Sequence, residues 1–169
     1  MDNYEAMIQI LKDMERISLV LEIPPFSIYF LGGSACILGK YNSRATRDFD
    51  LIDLNYPAIY GKALRYLSNF DMLEYESTIL SPLYRTRATR LQQFSHIQIY
   101  VLSREDVIVS KIIRMEAKDI EDINVLMESS SKELIRNIID EVLERKDLFE
   151  AKKQAFLKKL PAFRERYHV

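Results

Sequence analysis

Met7, Ile8, Ile10, Leu11, Met14, Ile17 and Leu21 recur at helical spacing with charges between them. That pattern predicts an amphipathic helix over residues 3–22, stopped by Pro24-Pro25. Ser27-Ile28-Tyr29-Phe30-Leu31 is a short apolar run and predicts a buried strand. Gly32 and Gly33 break it, and Ser34 is placed to cap a helix through Ala35-Cys36-Ile37-Leu38. After an Asn/Ser/Arg/Thr loop, residues 48–54 predict a second strand. Pro57 to Phe70 predicts a helix with Ile59, Ala63, Leu64 and Leu67 inward, and 71–75 a short strand. Residues 94–102 predict a strand with Ile97, Ile99 and Val101 on one face and His96, Gln98 and Tyr100 on the other.

The rest of the chain reads as helical. Ser103 and Asp106 form a capping pair. Lys111, Arg114, Lys118 and Asp122 fall at i, i+3, i+7 and i+11, a polar stripe on one continuous helix between Ile108, Ile112, Ile120 and Ile123. Leu134, Ile135, Ile138, Ile139 and Val142 give the next helix its apolar face. A last helix over 147–160 ends at Pro161, followed by a short basic tail that is expected to fray. The fold class expected is α/β (α+β): a small mixed sheet flanked by helices over residues 1–102, with a C-terminal helical region over 103–169 packed on it.

Composition narrows the setting. The chain has 169 residues, 48% of them apolar, enough for a hydrophobic core. The net charge of −1 provides no global field toward nucleic acid or membrane. Cys36 is the single cysteine, so no intrachain disulfide forms, in keeping with a reducing compartment. The acidic start Met1-Asp2-Asn3-Tyr4-Glu5 is unlike a signal peptide, and no apolar run approaches the ~20 residues that span a bilayer. The expectation is a cytoplasmic protein without a membrane partner.

Candidate chemistry gathers at two places. Asp48 and Asp50, two apart on a strand, share a face, where like charges repel. Such a pair suits a hard cation such as Mg²⁺, which takes carboxylate oxygens and keeps positions for water and phosphate. Gly32 and Gly33 let backbone N–H groups approach a phosphate, and Ser34 adds a hydroxyl. Arg47 and Thr46, next to Asp48, orient its carboxylate or meet a phosphate, whereas Arg44 reads as a surface cation. Asp53 falls on the opposite strand face and is not counted as a ligand. Arg85 and Arg87 share a face if 83–90 is a strand, either as a phosphate-contacting surface or as a charged edge. Ser34 lacks a Gly-x-Ser-x-Gly context and neither His96 nor His168 is placed by a motif, which argues against a serine hydrolase.

The order of strand, Gly32-Gly33-Ser34, helix, loop and Asp48-x-Asp50 strand resembles the nucleotidyltransferase superfamily, the fold group that includes the palm of polymerase-beta type enzymes. The later run of Lys111, Arg114, Lys118, Asp119 and Asp122 resembles the helical segment of bacterial abortive-infection toxin-type nucleotidyltransferases. The resemblance implies Mg²⁺, or Mn²⁺ in its place, on Asp48 and Asp50, and an NTP on Gly32, Gly33, Ser34 and Arg47. It also implies phosphate or nucleotide contacts from Lys111, Arg114, Asp119 and Asp122, with Lys111 among the catalytic groups. The implied activity moves an NMP onto RNA, protein or a small molecule, in a toxin-type enzyme restrained by an antitoxin partner. The family's third carboxylate is expected on the 94–102 strand, where Gln98 stands instead, with Glu74 or Glu76 as substitutes from another strand. That departure supports an alternative: a catalytically silent member that binds a nucleotide or nucleic acid.

Overall fold

The computed structural model describes residues 2–42 and 48–169. Arg44, Thr46 and Arg47 therefore lie outside the described residues. The chain forms two compact units, one of residues up to Leu73 with Ala88–Leu102, the other of Glu74–Arg87 with Ser103–Val169.

The first unit is built on a five-stranded mixed sheet. Its strands are β1 (Phe26–Leu31), β2 (Phe49–Ile52), β3 (Phe70–Leu73), β4 (Thr89–Arg90) and β5 (Ile97–Val101), in the order β3-β2-β1-β5-β4. β1 pairs antiparallel with β2 and parallel with β5; β2 pairs parallel with β3, and β4 antiparallel with β5. Alternation sets the two faces. Phe26, Ile28, Phe30, Phe49, Leu51, Ile97, Ile99 and Val101 are all buried, as their period of two predicts. Ser27, Asp50, Asp71, Gln98 and Tyr100 point the other way.

Helix α1 (Asn3–Val20) buries Met7, Ile8, Leu11 and Met14 and packs against α2 (Gly32–Leu38). Asp2 starts it with a capping box, accepting from the Glu5 N–H at 2.8 Å. Glu15 fastens α1 to β5, because its carboxylate accepts from the N–H groups of His96 and Ile97, both at 3.0 Å. His96 donates through Nε2 to the Ile23 carbonyl at 2.7 Å, an ordinary structural bond. The expected long helix after Pro57 is instead a 3-10 turn (Ala58–Tyr60), the short helix α3 (Gly61–Leu64) and a second 3-10 turn (Arg65–Leu67). Ala63, Leu64 and Leu67 are buried as expected, but Ile59 faces solvent. Gly61 inside this stretch is a weak helix former, which accounts for the interruption.

The second unit contains a 3-10 turn (Tyr75–Ser77), α4 (Tyr84–Arg87), α5 (Arg104–Ile112), α6 (Ala117–Met127), α7 (Lys132–Leu143) and α8 (Glu150–Tyr167). Two arginines organise its first segment. The guanidinium of Arg145 is buried, donating to the carbonyls of Tyr75, Thr78 and Leu80 at 2.9–3.0 Å and lying over the Tyr75 ring. Arg87 forms a two-pronged pair with the buried Asp106, 2.8 Å on each arm, and approaches Glu141 at 3.6 Å. Residues 84–87 are thus a helical turn, not a strand, and Arg87 is held by a carboxylate of its own unit. Helix α8 runs through Pro161 to Tyr167 rather than ending at the proline. Pro161 is exposed, so the carbonyl it leaves without a helical donor can take water, and buried Phe163 anchors the last turn.

Candidate active site

β1 delivers the chain to Gly32, whose φ of +63° lies in the left-handed region. A side chain there would be strained and would also overlap the Asp50 carboxylate, with a Cβ 3.2 Å from its Cγ. Gly32 is required by this closeness: register places Leu31 opposite Asp50 across the β1–β2 pair. α2 begins at Gly32, so Ser34 lies within the helix rather than capping it. Its fully buried hydroxyl donates to the Leu31 carbonyl at 2.8 Å and accepts the Asp50 N–H at 3.1 Å. Gly32, Ser34 and Asp50 thus form one interlocked corner, in which Ser34 fixes the backbone that carries the carboxylate.

Asp48 precedes β2 and is exposed, while Asp50 is half-buried. Asp53 accepts the Asn55 N–H at 2.8 Å and belongs to a turn. Gln98 does not substitute for a carboxylate at this corner. It pairs with Ser27 at the far end of β1, accepting from the Ser27 hydroxyl at 2.8 Å. That is four residues from Leu31, about 13 Å along the strand.

β5 carries no carboxylate, but β3 places an acid beside Asp50. Asp71 stands directly opposite Asp50 in the parallel β2–β3 pair, and paired residues share a sheet face. Sequence reasoning passed over Asp71, because spacing does not reveal which strand lies beside β2; the motif Phe70-Asp71-Met72-Leu73, an acid within an apolar strand, was the available signal. Among the described residues no group of three His, Cys, Asp or Glu side chains is arranged as a ready-made metal cage. Asp50 and Asp71 are nevertheless hard oxygen donors on one sheet face, and the missing Cβ of Gly32 lets the Asp50 carboxylate sit close against the backbone.

The second motif does not lie on one helix. α5 ends at Ile112, Met115 takes a φ of +46°, and α6 starts at Ala117. The turn brings the charges together. Lys111 donates to Asp122 at 3.0 Å and lies 3.8 Å from Asp119, while Arg114 holds Asp119 with two bonds of 2.7 Å. Asp119 also accepts the Glu116 N–H at 3.0 Å, closing the first turn of α6. Both carboxylates and the lysine are buried, whereas half of the Arg114 side chain is exposed. Burial pushes the Asp119 carboxyl up, but the Arg114 and Glu116 hydrogen bonds and the charges of Arg114 and Lys111 outweigh it and hold the group below the usual carboxylate range.

A mixed sheet with a Gly-Gly-Ser corner against an Asp-x-Asp strand defines a nucleotidyltransferase-like core. The chain belongs to the family described as "Nucleotidyltransferase of unknown function (DUF6036)", whose model matches residues 5–167. Neither the curated proteins nor the solved structures contain a match to the chain. No helix among the described residues is long and apolar enough to cross a membrane.

Proposed function

We propose that this protein transfers an NMP from an NTP to an acceptor with the aid of Mg²⁺, for which Mn²⁺ can substitute. The observation that carries this reading is the Gly32–Ser34–Asp50 corner, where a left-handed glycine without a Cβ lets the Asp50 carboxylate lie close against the start of α2. Asp48 and Asp50 would hold the metal, and Asp71, opposite Asp50 on β3, would add negative charge beside them. Gly32 and Gly33 would accommodate the triphosphate, and Arg47 would add a cation to it. Ser34 acts through its bond to the Asp50 backbone as a positioning residue. When bound, the metal would neutralise phosphate charge and stabilise the leaving pyrophosphate. In the transfer an acceptor oxygen forms a bond to the α-phosphorus, the bond to the β-phosphate bridging oxygen breaks, and the acceptor proton leaves to solvent. Positioning and electrostatics supply most of the acceleration in such a displacement.

Lys111, Arg114, Asp119 and Asp122 form the second part of the proposal, as nucleotide-binding groups, with Lys111 neutralising phosphate. The toxin-type reading, with an antitoxin partner in a bacterial cell, rests on this motif. Growth arrest on expression, relieved by Asp48→Ala, is its expected signature; unaffected growth sinks it.

The test of transfer is incubation of the chain with α-labelled NTPs, Mg²⁺ or Mn²⁺ and a cell extract. Label on RNA, protein or a small molecule, lost in Asp50→Asn, supports the reading. Nucleotide binding without transfer under either metal would establish the silent alternative.

A further inference from the structure

α8 carries charges that its own fold does not require. Residues 150–167 hold six cations, Lys152, Lys153, Lys158, Lys159, Arg164 and Arg166, against two anions, Glu150 and Glu165, in a chain of net charge −1. Phe156, Leu160 and Phe163 are buried and fix which side of the helix faces inward. Lys152, Lys159 and Arg166 are exposed and seven residues apart, so they line up after every two turns. They form a stripe about 21 Å long at 1.5 Å per residue. Lys158 is exposed as well. Arg136 of α7 meets the His168 carbonyl at 3.4 Å and adds a cation near the end of the helix.

Ordinary helix electrostatics does not account for the stripe. Cations near the C-terminus complement the dipole, which covers Arg164 and Arg166. Lys152 and Lys153 lie in the first turn, where the same dipole disfavours them. None of the six makes an ion pair with a described residue. Only Lys153 has an acid three or four residues away, Glu150, and that carboxylate accepts from Gln154 at 2.8 Å.

We propose that the Lys152–Lys159–Arg166 stripe of α8 docks the phosphate backbone of a nucleic acid. A row of cations without ion pairs among the described residues, Arg166 lying 5.8 Å from the centre of the Tyr167 ring, and with little apolar surface matches a repeating phosphate array. A membrane-surface helix would need a broad exposed apolar face, and a protein partner would need buried apolar anchors. On α8 itself Leu157 is the one exposed large apolar residue, with Phe149 just before the helix. The inference deepens the proposed function by making a nucleic acid the acceptor class, but its test reads binding alone.

The probe is a fluorescein-labelled RNA hairpin, titrated with the full chain in EDTA between about 50 and 200 mM salt. The wild type should bind with an affinity that falls steeply as salt rises. K152E/K159E/R166E should lose at least about tenfold in affinity, and its slope of log affinity against log salt should shrink by about 2. Should the charge-reversed chain melt early by circular dichroism, K152Q/K159Q/R166Q takes its place with the same expected direction. Asp50→Asn should bind as the wild type does, so loss of transfer and loss of docking are read separately. Unchanged affinity and slope in a folded stripe variant overturn the proposal. So does equal retention by polyglutamate or by anionic phospholipid vesicles. A labelled DNA duplex in parallel identifies which nucleic acid is preferred.

Discussion

At the residue scale, the corner of Gly32, Ser34 and Asp50 makes sharp demands. Gly32→Ala brings a Cβ against the Asp50 carboxylate at a left-handed backbone position, so both stability and nucleotide transfer should fall. Thermal melting and the labelled-NTP assay check this together; wild-type values in both would contradict the geometry. Asp50→Asn and Asp71→Asn should each reduce transfer by at least about a hundredfold, the loss of about 2.7 kcal/mol of transition-state stabilisation. The melting temperature of Asp71→Asn should stay near wild type, because Asp71 is exposed. Full transfer by Asp71→Asn would show that Asp71 takes no part in the proposed site. Asp50 was legible from the sequence because its partner Asp48 is local. Asp71 was not, because its relation to Asp50 exists only through strand pairing.

At the element scale, the α5–α6 junction is held by charge. Lys111→Met leaves Asp122 and Asp119 buried with less compensation, a loss of roughly 3–5 kcal/mol. The melting midpoint should drop by roughly 6–20 °C. Lys111→Arg keeps the charge and should recover part of it; if transfer stays low in a folded Lys111→Arg chain, Lys111 has a role beyond holding the junction. Asp119 adds a pH dependence. Its folded value is depressed, so its stabilisation is complete above the ordinary carboxylate value of about 3.9 and is lost as pH falls through the folded value. Asp119→Asn should therefore be less stable than wild type at neutral pH, and the difference should narrow below about pH 4. A gap that stays constant into acid would show that the carboxylate is not held below its usual range. Periodicity predicted helix on both sides of this junction, but a continuous polar stripe concealed the break, since Met115 is not a residue whose type announces a left-handed turn.

At the scale of the whole molecule, two compact units each have their own internal fastening. In the second unit Arg145 serves three carbonyls of the segment 75–80 at once. Arg145→Met should strand these buried acceptors and destabilise the unit by several kcal/mol, read by denaturant unfolding. An unchanged unfolding midpoint would show that the segment is held by packing alone. The same unit presents the basic side of α8, the surface on which the RNA titration bears.

The sequence by itself determined the elements that depend on near neighbours. The inward faces of β1 and β5, the capping of α5, and the Gly32-Gly33-Ser34 and Asp48-x-Asp50 motifs all follow from residue type and spacing of two to four. Tertiary structure alone decided the relations between distant segments. Pairing of β2 with β3 put Asp71 opposite Asp50, and the parallel β1–β5 register moved Gln98 to the far end. Folding joined Arg87 to Asp106 and carried α8 past Pro161 by burying Phe163. Local periodicity records which side of an element is apolar; it holds no record of which element lies alongside, because that choice is made by the fit of whole surfaces.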